Sequence, residues 1–323
     1  MTVETLTFNS NDLLSELCGP HDMNLVRIEN KLGVSLLPRG NTITVKGADG
    51  ARSAAKNVLT FLENRLKQGL QVSAADVDAA IRFAEGPQET ARPASERALA
   101  LPKRTILPRT KAQAQYMHHL STEELVFGVG PAGTGKTYLA VADAAAALLR
   151  GDVERLILSR PAVEAGERIG FLPGDLKEKV DPYLRPLYDA LYDVMHADFV
   201  DRRIAAGDIE VAPLAFMRGR TLSRAVVILD EAQNATVGQM KMFLTRLGEG
   251  SRMVVTGDPS QTDLPNAADS GLADALQLLS GIKGVAVTRF TGEDVVRHRL
   301  VRDIVAAYDQ RSQARMQKSQ DRS

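Results

Sequence analysis

Apolar positions along the chain fall into three regimes. Over residues 11–82, short helical and strand-like patterns alternate. LLSEL reads as a helix, GPHD as a turn, and NLVRIENKL sets Leu25, Ile28 and Leu32 at helical spacing. VSLLP and NTITVKG read as two strands joined near Arg39-Gly40, a hairpin signal. SAAKNVLTFLENRLKQG returns to helix and stops at Gly69, and VSAADVDAAIRFA adds a shorter helix.

Residues 84–110 hold four prolines and no sustained period, which reads as a linker with a basic end at Lys103, Arg104, Arg109 and Lys111. Beyond residue 111 the runs ELVFGVG, RLILSRP, DIEVAPL, AVVILDE, RMVVTGD and GVAVTRF alternate with mostly helical segments. Near-continuous apolar strands between helices predict an α/β domain with a parallel sheet covered on both faces. No internal repeat is visible, and the polar, basic stretch after Asp309 is expected to be disordered. The expected division is an α+β domain at 1–83, a linker at 84–110, an α/β domain at 111–309 and a tail at 310–323.

Composition changes this picture little. With 323 residues, 44% hydrophobic and 25% charged, the chain can bury two cores without disulfides or metals. Lys plus Arg balance Asp plus Glu at 40 each, so a nucleic-acid contact would have to come from a local patch. Trp is absent and aromatics are 5%, leaving few rings for stacking on bases. The single Cys18 fits a reducing compartment. MTVETLTFNS has no signal-peptide pattern, and the most apolar helix, Ala140 to Leu149, is short and broken by Asp143. A cytoplasmic protein with no membrane span is expected.

The chemistry is concentrated in three turns. Gly130-Pro131-Ala132-Gly133-Thr134-Gly135-Lys136-Thr137 fits the G-x-x-x-x-G-K-T pattern between an apolar strand and a helix. Its glycines let amide N–H groups face phosphate oxygens, the helix N-terminus adds positive charge, Lys136 reaches the terminal phosphates, and the Thr137 hydroxyl is a Mg²⁺ ligand. AVVILD ends in Asp230-Glu231, where Asp230 can hold the metal's water shell and Glu231 can polarise the attacking water. VVTGDPSQ places Gln261 on a third turn as a candidate γ-phosphate sensor.

These blocks, with SRPAVEAGERIGFLPGDLKEKVDPYLRPLYDAL and TGDPSQTDLP, resemble the PhoH-like ATPases of bacteria over nearly the whole chain. Arg160 and Glu164 lie in the long block, the family's discriminating one. The resemblance implies a RecA-like core similar to the first motor core of superfamily-1 helicases, using ATP and Mg²⁺. It implies that Gln113 in Thr110-Lys-Ala-Gln reads adenine, with Tyr116 packing against the base, although Lys111 stands where the family usually has proline. It implies an arginine finger in the block DVVRHRL, with Arg297 as the candidate and Arg299 where proline is common. Residues 11–70 look like a KH-type RNA-binding fold, but Asp22 replaces the second glycine of its Gly-x-x-Gly turn and brings negative charge where phosphate should lie. A structural or oligomerising role for that domain stays open.

Gln261 leaves 62 residues, too few for a second motor core, so Arg297 is expected to act in trans within a homo-oligomer such as a hexameric ring. The leading expectation is an ATPase that remodels RNA or single-stranded nucleic acid. The alternatives are an ATP-dependent switch that recruits a protein, and a P-loop small-molecule kinase. Against the kinase stand the water-activating pair and the lack of an Arg-rich lid.

Overall fold

The computed structural model describes residues 3–67, 71–84, 98–161, 176–266 and 269–295. The N-terminal unit runs β1 (Val3–Thr7), α1 (Asn11–Cys18), α2 (Met23–Leu32), β2 (Ser35–Arg39), β3 (Thr42–Lys46), α3 (Asp49–Lys67) and α4 (Ala74–Ala84). Its three strands form an antiparallel sheet in the order β1-β3-β2, with the expected hairpin turning at Gly40 (φ +61°). Ser10 caps α1 by accepting from the Leu13 N–H. Leu14, Leu17, Leu25, Ile28, Ile43, Val45, Val58 and Leu62 form the core between sheet and helices. Strand β1 escaped the pattern because its VETLT is mostly exposed and holds two apolar residues.

The expected linker is partly built into the second domain. Residues 85–97 lie outside the described residues, but β4 (Leu99–Ala100) and β5 (Thr105–Ile106) pair antiparallel, and Leu101 and Ile106 are buried in the second domain's core. Arg104 pairs with Asp193 at 2.6 Å, fastening the hairpin. Strands of two residues are too short to carry a detectable period.

The α/β domain continues with α5 (Lys111–Thr122), β6 (Leu125–Val129), α6 (Lys136–Arg150), β7 (Arg155–Arg160), α7 (Leu176–Val194), α8 (Ala197–Ala206), β8 (Ile209–Pro213), β9 (Ala225–Leu229), α9 (Val237–Leu244), β10 (Arg252–Gly257), α10 (Gly271–Leu279) and β11 (Val285–Arg289). All six apolar runs become strands of one parallel sheet, in the order β11-β6-β10-β9-β7-β8. Helices α5, α6 and α7 cover one face, while α9 and α10 cover the other. Helix α6 is apolar nearly all round, with Ala140, Ala142 and Ala144–Ala147 buried, as suits the central helix of a layer. Strand β10 lies between β6 and β9, so the turns after these three strands meet at the carboxyl ends of the strands. Among the described residues, no helix is long and apolar enough to cross a membrane.

Candidate nucleotide site

The loop after β6 needs its glycines. Gly130 has φ +140°, and Gly133 and Gly135 both have φ +84°. A Cβ on Gly130 would stand 2.3 Å from the Phe290 carbonyl oxygen, so the loop can be laid against β11 only without a side chain there. Lys136 opens α6 and folds back over the loop, its Nζ donating to the carbonyls of Gly130 at 2.6 Å and Pro131 at 2.8 Å. The ammonium therefore lies against the backbone of the loop.

Asp230 follows β9 and is nearly buried. Its Oδ1 accepts from Thr137 Oγ1 at 2.6 Å and from Thr256 Oγ1 at 2.7 Å, while its N–H donates to the Ser159 carbonyl at 2.9 Å. The ends of β7, β9 and β10 and the start of α6 thus meet at this one residue. The Thr137 hydroxyl and the Asp230 carboxylate are hard oxygen donors side by side, which suits Mg²⁺, an ion held by one or two protein oxygens together with phosphate and water. Among the described residues, no group of three His, Cys, Asp or Glu could hold a metal unaided, so the ion's remaining oxygens would come from nucleotide and water.

Glu231 takes the left-handed conformation at φ +50°, a strained position for a non-glycine residue. It lines a cavity of about 570 Å³ together with Arg160, Tyr183, Gln233, Asn234 and Gln261. Arg160 Nη2 donates to Glu231 Oε1 at 2.8 Å and Gln233 Nε2 donates to Oε2 at 2.5 Å. Gln233 is fixed in turn, its Oε1 accepting from the Asp258 N–H at 3.1 Å. Asp258 braces the turn before Gln261 by accepting from the Ser260 N–H at 3.0 Å and hydroxyl at 2.7 Å. Thr256 and Gln233 were not singled out from the sequence. Their signals were a hydroxyl one residue before the Gly257-Asp258 turn and an amide two residues after Glu231.

Gln113 is buried and bridges two segments. Its Oε1 accepts from the Arg109 N–H at 2.7 Å, and its Nε2 donates to the Thr134 carbonyl at 2.9 Å. It lines a second cavity, of about 380 Å³, on the outer side of the loop. Tyr116 does not join it there. The ring is fully buried under Gly128 and meets Phe290 edge-to-face with centroids 5.4 Å apart, so the expectation that it packs against a base is corrected: it is a core residue. One helical turn separates the two side chains, and they leave α5 toward different neighbours. Arg297 and Glu164 lie outside the described residues.

The family profile described as PhoH-like protein matches residues 105–309, a span that contains every turn of this site. The chain belongs to the PhoH-like family. It is 50% identical over 307 residues to the PhoH-like protein of Bacillus subtilis, covering 94% of this chain and 96% of that one. The PhoH-like protein of Synechocystis sp. is 46% identical over 311 residues, 95% of each chain. Protein PhoH of Escherichia coli is 49% identical over 205 residues, 63% of this chain and 58% of that protein. Among solved structures, the Sulfolobus solfataricus SWI2/SNF2 ATPase core in complex with dsDNA aligns over 58% of this chain and 38% of that chain, at 16% identity and a TM-score of 0.32. With its phosphate loop between β6 and α6, this PhoH-like chain is a P-loop nucleotide-binding protein.

Proposed function

We propose that this chain is a Mg²⁺-dependent ATPase that couples hydrolysis to remodelling of RNA or single-stranded nucleic acid. The observation that carries the ATPase reading is the meeting of Thr137 and Asp230 at 2.6 Å, with Glu231 next in the chain and turned into the adjoining cavity. Lys136 and the loop amides neutralise the β- and γ-phosphates. Thr137 and Asp230 hold Mg²⁺, which when bound draws charge from the phosphate oxygens. Glu231 accepts a hydrogen bond from the attacking water, and Gln261 across the same cavity orients that water or the γ-phosphate. Gln113 retains one amide hydrogen and one lone pair beyond its two protein bonds, the complement of an adenine edge.

Turnover of ATP measured with and without RNA, across a salt series, tests the whole reading. Stimulation that fades with salt supports remodelling, and no hydrolysis of any nucleoside triphosphate overturns the ATPase. A second reading, an ATP-dependent switch that recruits a protein partner, gains from Glu231 having both oxygens engaged by Arg160 and Gln233, since a restrained base suits slow turnover. RNA-independent hydrolysis would favour it.

The N-terminal unit is proposed to be KH-like. Its turn runs through Gly19 (φ +71°), His21 (φ +53°) and Asp22 (φ +57°), a tight reversal between two helices. The Asp22 carboxylate on that turn favours a structural or oligomerising role over clamping of a phosphate backbone. Arg297 is proposed to complete the site of a neighbouring copy in a ring. Mixing Arg297→Ala with Lys136→Ala subunits should restore activity if the site is shared, and no recovery at any ratio would remove the trans finger.

A further inference from the structure

The cavity beside Gln113 has a wall that the nucleotide reading does not account for. One side is the outer surface of the phosphate loop, Gly133 and Gly135, continued by Tyr138 and Leu139 of α6. The floor is the β4–β5 hairpin and its exit, with Thr105, Ile106 and Leu107. The remaining wall comes from the other domain: Arg65 near the end of α3 and Asp76 in α4. The space, about 380 Å³, is of the size that small-molecule sites occupy, and residues of both domains line it.

Its lining has the character of a nucleoside site. Ile106, Leu107 and Leu139 offer apolar surface, and Gln113 offers a donor–acceptor edge. Arg65 is held in place, its Nε donating to the Gln71 carbonyl at 2.8 Å and its Nη2 lying 3.3 Å from Asp76 Oδ1. Asp76 is itself fixed by the Ser73 N–H at 2.9 Å and hydroxyl at 2.5 Å. A guanidinium anchored at two of its nitrogens is a flat, pre-ordered platform, and such planes stack on bases. Burial lowers the Arg65 pKa, Asp76 raises it, and the nearby Arg109 charge lowers it again. Arg65, Arg104 and Arg109 all line this space, Arg65 paired with Asp76 and Arg104 with Asp193, so its polar wall consists of guanidinium planes held in place by carboxylates.

We infer that the N-terminal domain closes the nucleoside end of the ATP site, with Arg65 forming the wall against which base and ribose rest. Occupancy of the phosphate loop is then linked to how the N-terminal domain sits on the ATPase core. A nucleotide that fills the cavity draws α3 and α4 toward the loop, and loss of the nucleoside releases them. This rests on the proposed ATP site, and a ligand lacking a nucleoside separates the two claims.

The test uses the full chain and two probes, ATP and inorganic tripolyphosphate, each with Mg²⁺. Arg65→Ala is expected to weaken ATP binding about tenfold, the size of one stacking contact, while leaving tripolyphosphate affinity unchanged. Arg65→Lys keeps the charge but loses the plane, and should fall close to Arg65→Ala. In the wild-type protein, ATP but not tripolyphosphate should slow amide hydrogen exchange in residues 49–67 and 74–84. Unchanged ATP affinity in Arg65→Ala, or exchange in both helices indifferent to ATP, overturns the inference while the ATP site stands. Equal weakening of both probes also overturns it, because Arg65 would then act only by supporting the fold. If neither probe binds the wild-type chain, the P-loop reading falls as well.

Discussion

Arg160 Nη2 lies 2.8 Å from Glu231 Oε1, while its Nη1 donates to the Tyr183 carbonyl at 2.9 Å. The guanidinium ties the end of β7, the helix α7 and the residue after Asp230 into one unit. Its Nε is 3.9 Å from Asp230 Oδ2, so one cation stands over both acids. In a strained backbone at φ +50°, Glu231 depends on such contacts to keep its orientation.

Arg160→Ala is therefore expected to lower kcat about 10–100-fold with little change in ATP affinity, because the carboxylate loses its anchor but the phosphate loop is untouched. Steady-state kinetics with parallel nucleotide titration checks this. A rise in basal turnover would instead identify the pair as a restraint and favour the switch reading.

Glu231→Gln retains an acceptor for Arg160 but cannot take a proton. ATP should still bind, and hydrolysis should fall about 10²–10⁴-fold, the usual contribution of a positioned base. Single-turnover measurement separates the two quantities, and unchanged turnover would remove Glu231 from the water-activating role.

Thr256→Val is nearly isosteric in a fully buried position and deletes one of the two hydroxyls donated to Asp230. A hydrogen bond to a charged group is worth about 1.5–3 kcal/mol, so the Mg²⁺ concentration for half-maximal activity should rise about tenfold or more. An unchanged Mg²⁺ requirement would mean that Thr256 serves only the sheet.

Cys18 is buried, and its thiol is pushed up to about 11 by that burial first and by Asp22 second. A pKa raised on folding contributes stability that is complete below the ordinary thiol value of 9.0 and is lost as pH rises toward 11. Denaturation midpoints of the wild type should fall relative to Cys18→Ala over that interval, and the two should track each other from pH 6 to 8. At pH 8 the thiol should react with an alkylating reagent only as the N-terminal domain opens.

Much of this molecule was legible along the chain. The four inner strands of the parallel sheet announced themselves because strands buried on both faces must be apolar throughout, and AVVIL or RLIL tolerates little else. The edge strands β8 and β11 were legible from their apolar runs although half-exposed. The phosphate loop was legible because Gly130, Gly133, Gly135, Lys136 and Thr137 act within eight residues. The short β4–β5 hairpin was not, since Leu99–Ala100 and Thr105–Ile106 owe their pairing to the core beneath them. Tyr116 misled for a related reason: an aromatic on an amphipathic helix fills either a pocket or a core, and its spacing from Gln113 is compatible with both.

What the sequence determined by itself was the local chemistry: a phosphate loop, an acid pair and a polar turn, each ending an apolar strand. Only the tertiary structure decided that Thr256 and Thr137 share Asp230, that Arg160 and Gln233 hold Glu231, and that Arg65 from another domain reaches the cavity behind the loop. The physical reason is strand order. Inserting β10 between β6 and β9 joins turns more than a hundred residues apart, and no local pattern of residues encodes which strand becomes whose neighbour.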